Sequence, residues 1–211
     1  MVARRRTGAD LVGITVLALL LQKPQHPYEL HRFILDTHKD YITGLPRSLY
    51  HAVDRLAADG LIEPVETSRE GRRPERTVYR ITAEGAAELG SRLRRLLAEP
   101  ATDLALFSAA VSLAGVLPAR EAERALRTRA ATLEGMVTSA DAGMRGLRET
   151  GLPRLLLLEV EYERAMRATE LDWVRGLLAE LASGELSWPG LLSDSGPGAA
   201  AIENTRPGGG A

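Results

Sequence analysis

The chain has 211 residues, 45% of them hydrophobic, with 27 Lys and Arg against 28 Asp and Glu. That is enough for one ordinary domain or two small ones, and enough apolar material for a core. Cysteine is absent, which excludes a disulfide scaffold, cysteine zinc sites and thiol catalysis, and suits a reducing, cytoplasmic setting.

Residues 1–9 read as a flexible basic arm carrying Arg4, Arg5 and Arg6. Asp10 can cap a first helix running to about Gln22. Its apolar run, Leu11 to Leu21, is about half of the roughly 20 residues that span a bilayer. The flanking arginines resemble a signal peptide, but "QKPQHPYEL" follows without a small-residue cleavage site. The run is therefore expected to be a buried helix, with no membrane partner. Pro27 opens a second helix, "PYELHRFILDTH", whose expected apolar face is Tyr28, Leu30, Phe33 and Ile34. "KDYITGLP" turns into a third, which Gly60 ends.

In that third helix, Leu49, Ala52, Val53 and Leu56 lie at helical spacing and form the core side. Arg47, His51 and Asp54 then point away from the core, with Ser48, Tyr50 and Arg55 on the flanks. This is an unusual mixture for a face that needs only to be soluble. Next the period changes. "LIEPVET" and "RTVYRIT" read as strands around the charged loop "SREGRRPE", with Thr77, Tyr79 and Ile81 alternating on one face. Thr82 can cap a helix from Ala83 to about Ala98, with a seam of Leu89, Leu93, Leu96 and Leu97.

The rest reads as helical. A short apolar helix covers Thr102–Leu113. A long one covers Pro118–Leu147, with Leu126, Leu133, Val137, Ala140, Met144 and Leu147 as its seam. Another covers Pro153–Ala182 and carries Leu155, Leu158, Tyr162, Met166, Trp173, Leu177 and Leu181. A 30-residue helix is ~45 Å long, more than a small monomer covers, so these residues are expected to dimerise. Tyr162 and Trp173 share a helix face; they belong either to dimer core or to the wall of an effector pocket. From 187 to 211 the chain is rich in Gly, Pro, Ala and Ser and reads as a disordered tail.

The fold class is mainly α. A winged helix-turn-helix domain is expected over 10–99, formed by three helices, a hairpin wing and a further helix. A helical dimerisation domain follows over 100–186. In such a domain the third helix enters the DNA major groove. Arg can read guanine edges, His can donate or accept, and Asp can accept from cytosine. Ser48 and Tyr50 suit phosphates, as do Arg72, Arg73 and Arg76 in the wing. Charge agrees mildly: residues 1–100 carry a balance of +3 and residues 101–211 one of −4. His26, His31 and His38 flank the second helix, but no acidic or cysteine set completes a metal site. No nucleophile elbow, Gly-rich phosphate loop or His-Glu-x-x-His is present. The expectation is a binding protein, not an enzyme, with no cofactor and no metal.

"HPYEL" at 26–30, "SLYHAVDRLAADGLIEP" at 48–64 and "RTVYRITAEGAAEL" at 76–89 resemble the PadR-like transcriptional regulators over about residues 10–98. Pro27 stands where Gly is common in that family, and His51 where Pro is common. The resemblance implies a repressor that binds double-stranded DNA as a homodimer held by C-terminal helices. It also implies a small aromatic or hydrophobic effector near the dimer interface. A MarR-like regulator and a winged-helix protein-interaction module without DNA binding are the alternatives. The former typically dimerises through helices at both ends of the chain, whereas only the Asp10 helix precedes the domain here.

Overall fold

The computed structural model describes residues 10–37, 45–68, 76–101, 104–188 and 190–191. The elements follow in the order α1 (Leu11–Gln22), α2 (Pro27–Asp36), α3 (Arg47–Ala58), β1 (Ile62–Ser68), β2 (Arg76–Ile81), α4 (Ala83–Ala98), α5 (Leu104–Ser112), α6 (Ala119–Glu149) and α7 (Leu158–Ser183). Single 3-10 turns occupy Ala114–Val116 and Arg154–Leu157. Residues 1–9, 38–44, 69–75 and 192–211 lie outside the description, and with them the basic arm, His38, Arg72, Arg73 and most of the expected tail.

Asp10 caps α1, its Oδ1 accepting from the Gly13 amide at 3.0 Å. The helix is apolar on nearly every side and is buried from Gly13 to Leu20, as expected of a central core helix. His26 caps α2 in a reciprocal pair. Its Nδ1 accepts from the Tyr28 amide, and Glu29 Oε2 accepts from the His26 amide, both at 3.0 Å. The expected apolar face of α2 holds only in part. Leu30 and Ile34, four apart, are buried, whereas Tyr28 and Phe33 are 52% and 41% exposed. Tyr28 stands two residues before Leu30, which turns it to the far side of the helix.

All four expected core residues of α3, Leu49, Ala52, Val53 and Leu56, are buried. Gly60 ends the helix at φ 70°, with the Leu61 amide donating back to the Leu56 carbonyl at 2.9 Å. The strands pair antiparallel, Ile62 opposite Ile81 and Thr67 opposite Thr77, with a bulge between Pro64 and Glu66. The Pro64 nitrogen, which has no hydrogen to donate, thus falls beside an irregular stretch of the ladder. Gln25, in the turn between α1 and α2, extends this hairpin. Its amide and carbonyl exchange two 3.0 Å hydrogen bonds with Tyr79, and its side-chain amide donates to the Leu19 carbonyl at 3.2 Å. Thr82 caps α4 by accepting from the Gly85 amide at 3.0 Å while donating to the Gly60 carbonyl at 2.9 Å. A Cβ on Gly85 would sit 2.0 Å from the Leu61 carbonyl oxygen, so only glycine allows this approach.

Gly151, at φ 82°, turns α6 back toward α7. Ion pairs Arg148–Glu161, Arg164–Asp141 and Arg175–Glu134 step down the two helices in opposite directions, which makes them an antiparallel hairpin. Leu126, Leu133 and Met144 of the expected α6 seam are buried. Leu147 is 44% exposed because it lies at the open tip, beyond the part that other helices cover. A core cluster runs from Ile14 through Leu97 to Leu126 and Val174, across the 99/100 boundary expected from sequence. Disorder from 187 onward does not describe the start of that stretch. Trp188 packs on the core and its indole N–H donates to the Leu117 carbonyl at 2.8 Å; the Leu191 amide donates to the Gly115 carbonyl at 3.1 Å. Composition favours disorder here, but one large aromatic side chain gains enough burial to hold the chain down. Among the described residues, no helix is long and apolar enough to cross a membrane.

Candidate nucleic-acid interface and a cleft in the C-terminal helices

With one side of α3 buried, the opposite side is fixed in place. Arg47, His51 and Asp54 are exposed, Tyr50 is 43% exposed, and Ser48 is half-buried at the helix start. Arg47 and His51 are one turn apart, and Arg47 Nε donates to His51 Nε2 at 3.3 Å. Arg47, His51 and Asp54 thus share the exposed side of α3. Arg55 does not project freely: its guanidinium bonds the Asp10 carboxylate, which also caps α1. No local signal marks a contact across 45 residues. Arg76 opens β2 opposite Ser68. The hairpin's exit is tied to the end of α3, Thr82 donating to the carbonyls of Gly60 and Leu61.

A second feature lies in the C-terminal helices. A cleft of about 900 Å³ is walled by Phe107, Leu133, Met136, Tyr162, Met166 and Trp173, with Glu170 also in its lining. Phe107 and Trp173 meet edge to face, their ring centroids 5.8 Å apart at 88°. Tyr162 and Trp173 both line this cleft, as does Phe107, which was not among the candidates expected from sequence. Behind this wall, Arg129 is 1% exposed. Its Nε donates to Glu170 Oε1 at 2.5 Å, its Nη1 donates to the carbonyls of Leu96 and Glu99, and its Cζ lies 3.7 Å from the Phe107 ring centroid. Burial pushes this guanidinium down from the usual arginine value, against the hydrogen bond and charge of Glu170. It stays charged, as arginine does in proteins. Its place on α6 between Leu126 and Leu133 is the signal that could have found it: a cation inside an apolar seam.

The outer side of α7 is different again. Leu158, Tyr162, Met166 and Trp173 are 44%, 67%, 40% and 48% exposed, as is Leu155 at 75% in the 3-10 turn before the helix, whereas Leu177 is half-buried and packs on the core. The inner side, with Leu171 and Val174, is buried within the chain. Among the described residues, no group of three or more His, Asp and Glu side chains is placed to hold a metal ion.

Three helices, a two-stranded wing clamped to the turn between the first two, and a polar face on the third define a winged helix-turn-helix domain. Residues 16–91 match the family model of the transcriptional regulator PadR-like family, a stretch that holds the third helix and both strands. Solved structures similar to this chain include Bacillus subtilis PadR in complex with operator DNA. It is 17% identical, with 81% of this chain and 99% of that chain covered and a TM-score of 0.39. The same protein in complex with p-coumaric acid is 15% identical, with 82% and 99% covered and a TM-score of 0.37. A PadR-like transcriptional regulator from Bacillus cereus is 16% identical, with 82% and 99% covered and a TM-score of 0.36. No curated protein matches the chain.

Proposed function

We propose that the chain is a cytoplasmic, homodimeric transcriptional repressor that acts by binding and not by catalysis. In this reading residues 10–99 read a palindromic operator and residues 100–186 dimerise. Arg47 and His51 read base edges. Ser48, Tyr50, Arg72, Arg73 and Arg76 engage phosphates. Arg55, half exposed beside Asp10, offers its remaining N–H groups to the backbone. The observation that carries the reading is α3 itself, with one side fully committed to the core and the other presenting Arg47, Tyr50 and His51 to solvent.

Dimerisation is supported by the exposed stripe on α7, which water would otherwise cover at a cost of about 25 cal/mol for each Å² of apolar surface. A twofold partner on that stripe sets two reading helices at successive major grooves, about 34 Å apart. The aromatic cleft suits a small aromatic or hydrophobic effector that favours a dimer geometry with mismatched spacing. Selection of bound DNA from a random pool tests the core of this reading. The expected result is a palindrome whose half-sites are one helical turn apart. Recovery of unrelated sequences, with binding that vanishes smoothly as salt rises, would refute it.

A further inference from the structure

Among the described residues, Arg129 is the largest fully buried side chain. An arginine that satisfies the carbonyls at a helix end is a common device, and it accounts for the bonds to Leu96 and Glu99 in the last turn and cap of α4. It does not account for the other partners. Glu170 grips the guanidinium from α7, Phe107 lies flat over it from α5, and Trp173 buttresses Phe107. All three of these residues line the cleft, and Arg129 does not. A molecule in the cleft therefore touches what holds Arg129 without touching Arg129.

At its other end α4 belongs to the DNA-binding domain. It begins at Thr82, immediately after the wing, and Thr82 is bonded to Gly60 at the end of α3. Its leucines pack in the core that includes α1. One cation thus joins the wall of the cleft to the helix that carries the reading unit.

We propose that Arg129 is a positioning residue that transmits the state of the cleft to the DNA-binding domain. Glu170 and Phe107 aim the guanidinium, and the guanidinium fixes the end of α4. An aromatic guest that parts Phe107 from Trp173 shifts the face on which Arg129 rests. The Leu96 and Glu99 carbonyls then lose their donor, the last turn of α4 loosens, and the angle between reading domain and C-terminal helices is released. This rests on the DNA-binding reading above, but the contact itself is tested separately.

The experiment uses the full chain and the variants Glu170→Gln, Arg129→Lys and their combination. Amide hydrogen exchange is followed along α1 and α4, and affinity is measured on DNA selected by the wild-type protein. Glu170→Gln is expected to speed exchange at residues 95–101 by about five-fold, leave α1 at its wild-type rate, and change DNA affinity by about five-fold. In the Arg129→Lys background the same change should add less than about two-fold, because the contact it acts through is gone. Lysine keeps the charge but lacks the fork that reaches Glu170 and both carbonyls, so it should not rescue. If Arg129→Lys fails to fold, Phe107→Leu replaces it in the cycle. Unchanged exchange at the end of α4, equal acceleration in α1 and α4, or additive effects in the cycle would each overturn the proposal. Failure of the wild-type chain to select any DNA would overturn the DNA-binding reading instead, while exchange at the end of α4 still decides the coupling.

Discussion

Replacing Glu170 with alanine leaves the Arg129 guanidinium inside the fold without its carboxylate. The two side chains are 1% and 17% exposed, so water cannot take the vacated place at Arg129 without opening the packing. Removing one member of a buried pair costs about 3–5 kcal/mol. Arg129 keeps its bonds to Leu96 and Glu99 and the face of Phe107, which places the expected loss near about 3 kcal/mol. With a urea m-value of about 2 kcal/mol/M, the unfolding midpoint should fall by about 1.5 M. The assay is urea denaturation followed by circular dichroism, at one protein concentration because dimerisation would also move the midpoint. The double variant Arg129→Met with Glu170→Ala should recover part of the loss, since no unpaired charge remains, although two carbonyls lose a donor. A shift under about 0.3 M for Glu170→Ala, at unchanged m, would refute this account of the pair.

Arg47→Ala or His51→Ala should relax preference at one or two positions of each half-site, at about 1–3 kcal/mol per lost contact; repeating the pool selection with each variant reads this directly. Leu158→Glu with Tyr162→Glu should leave the helical content intact and convert the protein to a monomer in sedimentation, because both side chains are exposed within one chain. Hydrogen bonds from Arg164 and from Arg154 hold the carboxyls of Asp141 and Glu161 below their ordinary values of 3.8 and 4.5. Above those values both pairs contribute fully. As pH falls through the lower folded values that contribution is lost, because the unfolded chain takes up its protons first. Thermal midpoints between pH 7 and 3 should fall less steeply in Asp141→Asn with Glu161→Gln than in the parent.

The helices of the winged helix-turn-helix domain were legible because their ends are written locally. Asp10, Gly60 and Thr82 each start or stop a helix through a contact within a few residues, Pro27 suits the first helical position by its fixed φ, and burial at three- and four-residue steps then fixes which face of α3 is free. The C-terminal helices were legible in extent but less so in orientation. Both α6 and α7 carry apolar residues on more than one side, so periodicity alone does not say that Val174 turns inward while Trp173 lies half exposed. Contacts between distant residues were not legible at all. Arg55 with Asp10, Arg129 with Glu170 and Trp188 with Leu117 join positions 45, 41 and 71 apart, and nothing near any of them in the chain announces its partner.

The two hydrogen bonds between Gln25 and Tyr79 have a mechanical consequence. They fasten the root of the hairpin to the corner between α1 and α2, while Thr82 fastens the hairpin's exit to the end of α3. Wing and third helix are therefore jaws of a caliper whose opening is set when the chain folds. A signal has little purchase on that opening, since changing it would break backbone pairing at both fastenings. What it can change is how the whole caliper is carried, by the angle at which α4 leaves it.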